Sequence, residues 1–566
     1  MKVVIIGGVA GGASAAARLR RLDESAEIVM LERTGFVSYA NCGLPYYVGG
    51  VIDEKRKLTL QTPASFASRF NVDARVNSEA VRIDRVNKTV AVRGPDGEEY
   101  LESYDKLVLA PGAKAVRPDL PGLDDPRVLS LRTVEDAFAM RDFITERRPG
   151  KAVVCGAGYI GLEVAENLVG MGVEVSMVQR PDQVLPPIDR EMAADVHLCL
   201  RAHGVDLRLS DALESVEAGD SLTVVLRSGA RLEADLVVVA LGVAPDTALA
   251  GEAGLNLGVK GSIVVDDRMR TSDPDIYAVG DAVQVRNFVT GEPANIALAG
   301  PANKQGRIAA DNIAGIGSRF DGSLGSSVIK VFDMTVAATG INEKQARALG
   351  IPYNKVYTYS ASHASYYPGG RNMSVKTLFD PTTGRVLGAQ IVGYEGVEKR
   401  ADVFATAIHG RMTVRDLAEL DLTYAPPFSS AKDPVNYAGF VACNVIDGRV
   451  RQCFWDEVDG MAGREGCFLV DVRGPAEFEA GRIEGSVNIP LDDIRGRIGE
   501  IPRDKKVVLI CHSALRSYIA CRILEQKGYD CCHLAGGYRL YASVMRDSAS
   551  GSPSDHPCGA KRRSTG

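Results

Sequence analysis

The chain opens with the stretch KVVIIGGVAGG, residues 2–12, in which an apolar run leads into a glycine-rich turn. The alanine-rich residues 13–22 predict a helix directly after the turn, and residues 27–31 predict a second strand that ends at Glu32. An acidic residue some twenty positions after the glycines of a strand–turn–helix unit is typical of a Rossmann-like fold that binds a dinucleotide.

The same pattern returns later in the chain. Residues 152–155 predict a strand, GAGYIG at 156–161 a glycine turn with a helix after it, and residues 173–178 a closing strand. One such motif is weak evidence, but two in the same strand–turn–helix context predict two dinucleotide sites. At the second site, Gln179 occupies the position of the acidic residue, and Arg180 follows it. The sequence therefore leaves the choice between NAD and NADP open.

Glycine turns let the backbone approach a pyrophosphate, which the N–H groups of the following helix then bind. At the first turn the predicted cofactor contacts are Gly7, Gly8, Ala10, Gly11, Gly12, Glu32 and Arg33. At the second turn they are Gly156, Gly158, Tyr159, Ile160, Gly161, Gln179 and Arg180. Loops after later predicted strands add Ala110, Gly112, Gly242, Gly280 and Asp281.

The net charge, the lengths of the apolar runs and the cysteine spacing exclude several classes of protein. The 566 residues carry a net charge of −6, which argues against nucleic-acid binding. No apolar run approaches the roughly 18–20 residues needed to cross a bilayer, and the N-terminus starts as a strand rather than as a signal peptide. None of the eleven cysteines shows the paired spacing of a zinc site. We therefore expect a cytoplasmic protein with free thiols and no metal.

Two further motifs carry a family resemblance. APGA at 110–113 and TSDPDIYAVGD at 271–281 resemble signatures of the two-dinucleotide-binding flavoprotein family. The resemblance covers residues 1 to about 445. It implies FAD at the first site, with Asp281 on its ribityl chain, NAD(P)H at the second site, and a third domain that forms a homodimer.

The segment SYANCGLPY, residues 38–46, contains one cysteine, Cys42, where disulfide reductases of this superfamily have two. Cys42 must therefore cycle as a thiolate, mixed disulfide, persulfide or sulfenic acid. The segment resembles the single-cysteine branch, which includes NADH peroxidases, NADH oxidases and coenzyme A disulfide reductases. Peroxidases and oxidases carry a histidine in the first glycine turn, whereas residues 8–11 contain none. The resemblance is thus to the coenzyme A disulfide reductase branch.

That branch implies a coenzyme A site and active-site tyrosines from a second subunit. Tyr366 and Tyr424 match the two tyrosines, which reach the active site of the partner in a homodimer. The positions that match coenzyme A contacts are Ser14, Arg18, Arg21, Ser38, Asn41 and Lys432.

The C-terminal part resembles a rhodanese domain. Residues 469–473 and 477–491 carry its first motifs, and the strand 507–510 leads into the loop CHSALR, from Cys511 to Arg516. A cysteine in a loop that wraps onto a helix N-terminus has a lowered pKa and can hold a persulfide anion. The loop length fits sulfur rather than phosphate. Ala514 stands where glycine is common, Arg482 where histidine is usual, and Cys531 and Cys532 are predicted at the edge of the core.

The predicted α/β architecture has two Rossmann-like dinucleotide-binding domains, an α+β dimerisation domain and a C-terminal α/β rhodanese domain. Their predicted bounds are 1–115 with 245–322 for FAD, 150–240 for NAD(P), 325–445 for dimerisation, 455–546 for rhodanese, and 547–566 for a disordered tail. The prediction is an NAD(P)H-dependent reductase of coenzyme A persulfide, polysulfide or coenzyme A disulfide. The alternatives are a coenzyme A disulfide reductase for thiol balance, an NADH oxidase, and a redox sensor or docking protein.

Overall fold

The computed structural model describes residues 1–549, which form two compact units. The first contains Met1–Pro181 and Val205–Gly325, and the second contains Asp182–Gly204 and the chain from Ser326 onward. Across the described part of the chain, no helix has the length and apolar character needed to cross a membrane.

The first glycine turn lies at the end of the central strand of a five-stranded parallel sheet. Its strand order is Ile276–Ala278, Lys106–Leu109, Lys2–Ile6, Glu27–Leu31 and Asp73–Arg75. Side chains of the central strand alternate between two apolar cores, Val3 and Ile5 on one face and Val4 and Ile6 on the other. Because both faces are covered, the strand reads as a continuous apolar run.

The second glycine turn has the same position in a second parallel sheet. Its strand order is Asp206–Leu209, Glu174–Gln179, Lys151–Cys155, Leu236–Val239 and Val128–Leu129. Both predicted strand–turn–helix units are therefore present, with helices Ala10–Leu22 and Tyr159–Gly170 after the turns.

Smaller elements complete the first unit. Its antiparallel strands are Glu79–Asp84, Thr89–Arg93 and Glu99–Ser103, then Leu213–Glu217, Leu222–Leu226 and Arg231–Ala234, and then the pair Ala113–Ala115 and Val243–Pro245. A mixed sheet contains Ile263–Val264, Val283–Arg286 and Pro293–Ala294. The remaining helices are Leu44–Val48, Lys55–Leu58, Pro63–Phe70, Val134–Arg147, Ala248–Glu252 and Ala299–Ile313.

The second unit begins with an antiparallel sheet and its helices. The strand order is Ser327–Val331, Met334–Gly340, Val386–Gly393, Asn372–Phe379 and Asn354–Ala361. The helices are Arg190–Ala202, Glu343–Ala348, Val397–His409, Val414–Glu419 and Pro434–Ile446. Helix Arg190–Ala202 falls within the predicted 150–240 range but belongs to this unit by its contacts.

A buried charge cluster explains that assignment. The Lys376 ammonium is fully buried and contacts carboxylates of Asp189 at 2.8 Å, Glu191 at 2.5 Å and Glu343 at 2.6 Å. Burial opposes the charge of Lys376, but the carboxylates of Glu191, Asp189 and Glu343 outweigh it and raise the pKa of Lys376. The cluster thus joins residues 189–191 to the antiparallel sheet.

Replacing Lys376 with methionine should lower the free energy of unfolding by about 4 kcal/mol, because it leaves buried carboxylates without their shared cation. Urea titration of the purified protein measures the change. Lys330→Met, at an exposed position of the same sheet, should stay within about 0.5 kcal/mol of wild type. Equal effects of the two substitutions would contradict the role given to the cluster.

The C-terminal domain is a five-stranded parallel sheet with helices. Its strand order is Gln452–Cys453, Cys531–Leu534, Lys506–Ile510, Cys467–Asp471 and Val487–Asn488. The helices are Trp455–Val458, Pro475–Glu479, Leu515–Glu525 and Gly537–Ser548.

The predicted start of the tail at residue 547 is wrong. Asp547 lies in the last helix, where its buried carboxylate contacts Arg190 at 2.5 Å, His197 Nδ1 at 2.8 Å and Arg201. The polar composition of the segment concealed these ion pairs. The rest of the predicted tail, residues 550–566, lies outside the described residues.

Candidate functional site

The two glycine turns are built alike. Gly7 and Gly156 have φ values of +100° and +107°, and a Cβ on them would lie 2.1 Å from the Ala110 carbonyl oxygen and 2.2 Å from the Ala240 carbonyl oxygen, respectively. Only glycine fits both the left-handed backbone and this close approach. Each turn therefore meets the end of the neighbouring parallel strand, where dinucleotides bind in such sheets.

A second glycine in each turn brings the helix against the strand. A Cβ on Gly12 would lie 1.9 Å from the Gly7 carbonyl oxygen, and one on Gly161 would lie 1.9 Å from the Gly156 carbonyl oxygen. The first turns of both helices are thereby placed at the strand ends, where their N–H groups can bind a pyrophosphate. The predicted contacts Ala10, Gly11, Tyr159 and Ile160 lie in these first turns, with Gly158 just before the second helix.

The residue at the end of the second strand differs in charge between the sites, with Glu32 directly after the strand at the first site and Gln179 as its last residue at the second. A Glu32 carboxylate oxygen accepts the Gly8 N–H at 2.9 Å, and the Gln179 amide oxygen accepts the Ala157 N–H at 3.0 Å. The next residue is an exposed arginine at both sites, and Arg33 pairs with Asp246 at 2.8 Å. The first site therefore keeps the carboxylate that suits an unphosphorylated ribose, and the second site does not.

The residues at the far end of the first site, Gly112, Gly280 and Asp281, fit FAD. Gly112 and Gly280 turn the chain with φ values of +72° and +84°, and Gly242, in the other sheet's loop, has +101°. Asp281 follows Gly280, and its carboxylate contacts Arg132 at 3.2 Å. Burial raises the pKa of Asp281, and the Arg132 charge opposes that rise. A carboxylate held in this way can accept hydroxyl groups such as those of a ribityl chain.

Arg132 was missed by the sequence reasoning. It donates to the Ala113 carbonyl at 2.8 Å and to Asp281, and in the amide orientation that satisfies both groups, Asn41 pairs with its backbone carbonyl and guanidinium. Arg132 thus joins the Asn41–Cys42 segment to the predicted flavin contacts. It lies outside any glycine or cysteine motif, so no local signal marked it.

Cys42 lies in a short 3₁₀ turn, Asn41–Gly43, that leads into helix Leu44–Val48. The residue is exposed, yet its thiol is partly desolvated by its surroundings, which raises the pKa of Cys42. The carboxylates of Glu163 and Asp281 raise it further, and Arg132 opposes them. The chain's own groups around Cys42 therefore favour the thiol over the thiolate.

Five of the six predicted coenzyme A contacts lie in the first unit. Ser14 and Arg18 lie on helix Ala10–Leu22, where the Ser14 hydroxyl donates to Asn303 and Arg18 pairs with Asp311, both at 2.6 Å. A guanidinium has five N–H donors, so this ion pair leaves others for a phosphate. The other three are the exposed Arg21, Ser38 with a positive φ of 47°, and Asn41 beside Cys42.

The predicted tyrosines come together in the second unit. The Tyr366 and Tyr424 hydroxyls are 2.7 Å apart, and the residues are 73% and 46% exposed. The hydrogen bond between the two hydroxyls raises the pKa of Tyr424. Lys432, the sixth predicted coenzyme A contact, is also exposed. Such accessible phenols are available to a substrate or to a second subunit.

Cys511 directly follows the strand Lys506–Ile510 and is 1% exposed. Gly537 permits the close packing of the last helix on its loop, because a Cβ there would lie 2.6 Å from the carbonyl oxygens of Cys511 and His512. Burial lowers the pKa of His512, the charges of Arg539, Arg473 and Arg516 lower it further, and the Glu477 carboxylate opposes them. Three arginines, two of which are paired with carboxylates at 2.7 Å, therefore act on this loop, and such cations favour an anionic sulfur substrate.

Arg516 is fixed in place by a carboxylate. Its guanidinium donates to the two Glu477 carboxylate oxygens at 2.7 and 2.8 Å. The Arg516 hydrogen bonds lower the pKa of Glu477 to about 2. Arg482, at the usual histidine position, lies over the Phe478 ring at 5.0 Å. Both arginines are thus held by residues 477–478 of one short helix.

Ala514 has a φ of +72°, which explains why glycine is common at this position. Ala514→Gly should raise the free energy of unfolding by about 0.5–1 kcal/mol, because relief of left-handed strain exceeds the entropy that glycine adds to the unfolded chain. Thermal unfolding measures the change. Ala520→Gly, in the interior of helix Leu515–Glu525, should instead destabilise the protein. A loss of stability in Ala514→Gly would show that the loop is not strained.

Tyr437 is a further residue that sequence reasoning missed. It lies on helix Pro434–Ile446, and Val445, two turns later on the same face, packs against the core that contains Cys511. Burial and the neighbouring Cys511 and Tyr518 raise the pKa of Tyr437. The antiparallel domain therefore contributes a phenol near the Cys511 loop.

Cys531 and Cys532 lie in the interior of the core and not at its edge. Both are 0% exposed, and they point to opposite faces of strand Cys531–Leu534. Cys531 packs in the core that contains Cys511, and Cys532 in the core that contains Cys453. Each fills apolar space on one face of the sheet.

Comparison with known proteins places the chain in a family. Residues 1–306 match the pyridine nucleotide-disulphide oxidoreductase model, residues 326–434 the dimerisation domain of that family, and residues 454–543 the rhodanese-like domain. The chain therefore belongs to the pyridine nucleotide-disulphide oxidoreductase family and carries a rhodanese-like domain. The predicted α/β fold class and its order of domains are confirmed.

Several named relatives and solved structures are similar to this chain. The coenzyme A disulfide reductase of Staphylococcus haemolyticus is 35% identical over 78% of this chain and 99% of its own length. An NADH oxidase of Methanocaldococcus jannaschii is also 35% identical, over 77% and 98%. Reduced Bacillus anthracis CoADR-RHD has a TM-score of 0.95 at 48% identity, over 96% of this chain and 98% of that chain. An NAD-dependent persulfide reductase from A. fulgidus has a TM-score of 0.90 at 39% identity, over 96% and 100%.

Proposed function

We propose that the protein uses NAD(P)H and FAD to reduce coenzyme A persulfide, polysulfide and coenzyme A disulfide at Cys42, and that Cys511 transfers sulfane sulfur. The observation that carries the proposal is the single thiol of Cys42 beside Asp281 and Arg132, in a chain that also holds a cysteine loop of sulfur-transfer length. The names of the A. fulgidus and Staphylococcus proteins support this substrate class.

The chain's residues have separate tasks in this reaction. Cys42 attacks a sulfur of the substrate and forms a mixed disulfide, and Arg132 holds the Cys42 segment beside Asp281. When bound, FAD supplies two-electron transfer from the nicotinamide to the sulfur on Cys42. Glu32 and Asp281 would bind its ribose and ribityl hydroxyls, and the second glycine turn with Gln179 would bind NAD(P)H.

A homodimer completes the proposed site. The match of residues 326–434 to a dimerisation domain supports it. In this arrangement, Tyr366 and Tyr424 of one subunit orient and protonate the first thiolate that leaves in the other subunit. Their exposure and mutual hydrogen bond are consistent with such a role. A cytoplasmic location remains a prediction from composition.

The direct test compares electron acceptors. Steady-state oxidation of NADH and of NADPH is measured with coenzyme A persulfide, polysulfide, coenzyme A disulfide and oxygen. We expect the highest kcat/KM with the persulfide. Faster turnover of the disulfide would favour a role in thiol balance. Vigorous oxygen uptake would favour an oxidase, which is the name that the M. jannaschii relative has. Bound FAD without turnover of any acceptor would favour a redox sensor.

A further inference from the structure

The last helix of the described chain begins against the loop of Cys511. The Tyr538 N–H donates to the Cys511 carbonyl at 2.8 Å, and the Arg539 N–H donates to the next carbonyl, that of His512, at 3.0 Å. The N–H of a trans peptide points opposite to its carbonyl, so the N–H groups of His512 and Ser513 point away from this helix. The helix start thereby sets the direction of the two N–H donors that directly follow Cys511.

The Arg539 side chain is held by residues outside the rhodanese-like domain. Its guanidinium lies over the Tyr359 ring at 4.5 Å and contacts the Asp195 carboxylate at 3.6 Å. Tyr359 lies on strand Asn354–Ala361 and Asp195 on helix Arg190–Ala202, and both elements belong to the antiparallel domain. Because the Arg539 side chain is only 9% exposed, water screens these contacts little.

Asp195 also holds the next turn of the last helix. The Ser543 hydroxyl, one turn after Arg539, donates to one carboxylate oxygen of Asp195. The Ser374 hydroxyl donates to the other oxygen at 3.3 Å, and Ser374 lies on strand Asn372–Phe379. The buried Asp195 carboxylate therefore connects the antiparallel sheet to the helix that begins at the Cys511 loop.

We propose that Asp195 and Tyr359 are positioning residues for sulfur transfer at Cys511. By fixing Arg539 they keep the start of the last helix against the loop, and this keeps two loop N–H groups in the direction from which they can bind an anionic sulfur. The inference rests on the proposed function, because it concerns the sulfur-transfer part of it. Sulfur transfer would thus depend on a domain that carries none of the rhodanese motifs.

The transfer step balances without an external oxidant or reductant. The Cys511 thiolate attacks the outer sulfur of a donor such as thiosulfate, the S–S bond breaks, and sulfite leaves with the electron pair. Cyanide then attacks the outer sulfur of the Cys511 persulfide, thiocyanate leaves, and the thiolate is restored. Because the loop N–H groups bind the anionic donor, a loosened loop should raise the KM for that donor.

The test measures sulfur transfer from thiosulfate to cyanide by the full-length, FAD-loaded enzyme. Asp195→Asn and Tyr359→Leu should each raise the KM for thiosulfate by about tenfold, because a lost link in a contact network changes coupling by about this factor. Tyr359→Phe keeps the ring beside the guanidinium and should stay within about twofold of the wild-type KM. Arg546→Gln, at an exposed arginine of the same helix, is the control and should leave KM unchanged. A lower kcat at unchanged KM in Asp195→Asn and Tyr359→Leu would overturn the proposal in favour of a purely structural role.

A second measurement needs no sulfur donor. Alkylation of Cys511, which is 1% exposed, by iodoacetamide is followed by mass spectrometry of its peptide. The rate should rise by about tenfold in Asp195→Asn and Tyr359→Leu, because local opening of the loop exposes the thiol, and should stay at the wild-type value in Tyr359→Phe and Arg546→Gln. An unchanged rate in all four variants would overturn the proposal. If the rates rise while the wild-type enzyme transfers no sulfur to cyanide, the proposed transfer activity fails and the positioning of the loop stands.

Discussion

Cys42→Ser should abolish NAD(P)H-dependent reduction of every sulfur acceptor, with kcat reduced by about 10³-fold or more. No second cysteine accompanies Cys42 in the segment 38–46, so no neighbouring thiol can take its place as the nucleophile. A serine hydroxyl cannot form the mixed disulfide through which electrons reach the substrate.

The measurement is NADH and NADPH oxidation under anaerobic conditions with coenzyme A disulfide and coenzyme A persulfide. FAD content should remain at the wild-type level, because the predicted flavin contacts are unchanged. Cys443→Ser, at a half-buried cysteine of the second unit, is the matched control and should stay within about twofold of wild type. Full persulfide turnover by Cys42→Ser would show that reduction occurs elsewhere in the chain.

Cys511→Ser should remove sulfur transfer while sparing disulfide reduction. Transfer of sulfane sulfur to cyanide should fall by about 10³-fold or more, because the loop loses its nucleophile. Reduction of coenzyme A disulfide should stay within about twofold, since that reaction needs only Cys42. Cys511 is buried, and the charges of Arg473, Arg516 and Arg539 act on the neighbouring His512, so cations near this loop would favour binding of an anionic sulfur donor.

A matched serine substitution at Cys467, a half-buried residue of the same domain, controls for general damage. It should keep both activities. If Cys511→Ser retained transfer to cyanide, the loop would be a docking element rather than a sulfurtransferase. If it also lost coenzyme A disulfide reduction, the two cysteines would act in one obligatory sequence.

Much of the fold could be predicted because its signals are local. Each glycine turn is specified by a few adjacent residues, and Gly7 and Gly156 show why, since each needs a left-handed backbone against a strand end. Cys42 and Cys511 could be found for the same reason, because the informative neighbours of each cysteine lie within its own loop.

The contacts between residues far apart in the sequence could not be predicted in this way. Arg132 meets Asp281, and Arg539 meets Asp195, across more than a hundred residues of sequence in each case. Asp547 likewise was assigned to a tail because its partners lie on a distant helix. Single polar residues without a spacing pattern acquire their roles only through tertiary structure.

In the proposed reaction, Cys42 reduces sulfane sulfur at the expense of NAD(P)H. The most direct measurement is the amount of hydrogen sulfide released per nicotinamide oxidised when the FAD-loaded enzyme receives coenzyme A persulfide without oxygen. We predict equal amounts for wild type and none for Cys42→Ser. Oxidation of NAD(P)H without release of hydrogen sulfide, or unchanged release by Cys42→Ser, would contradict the claim.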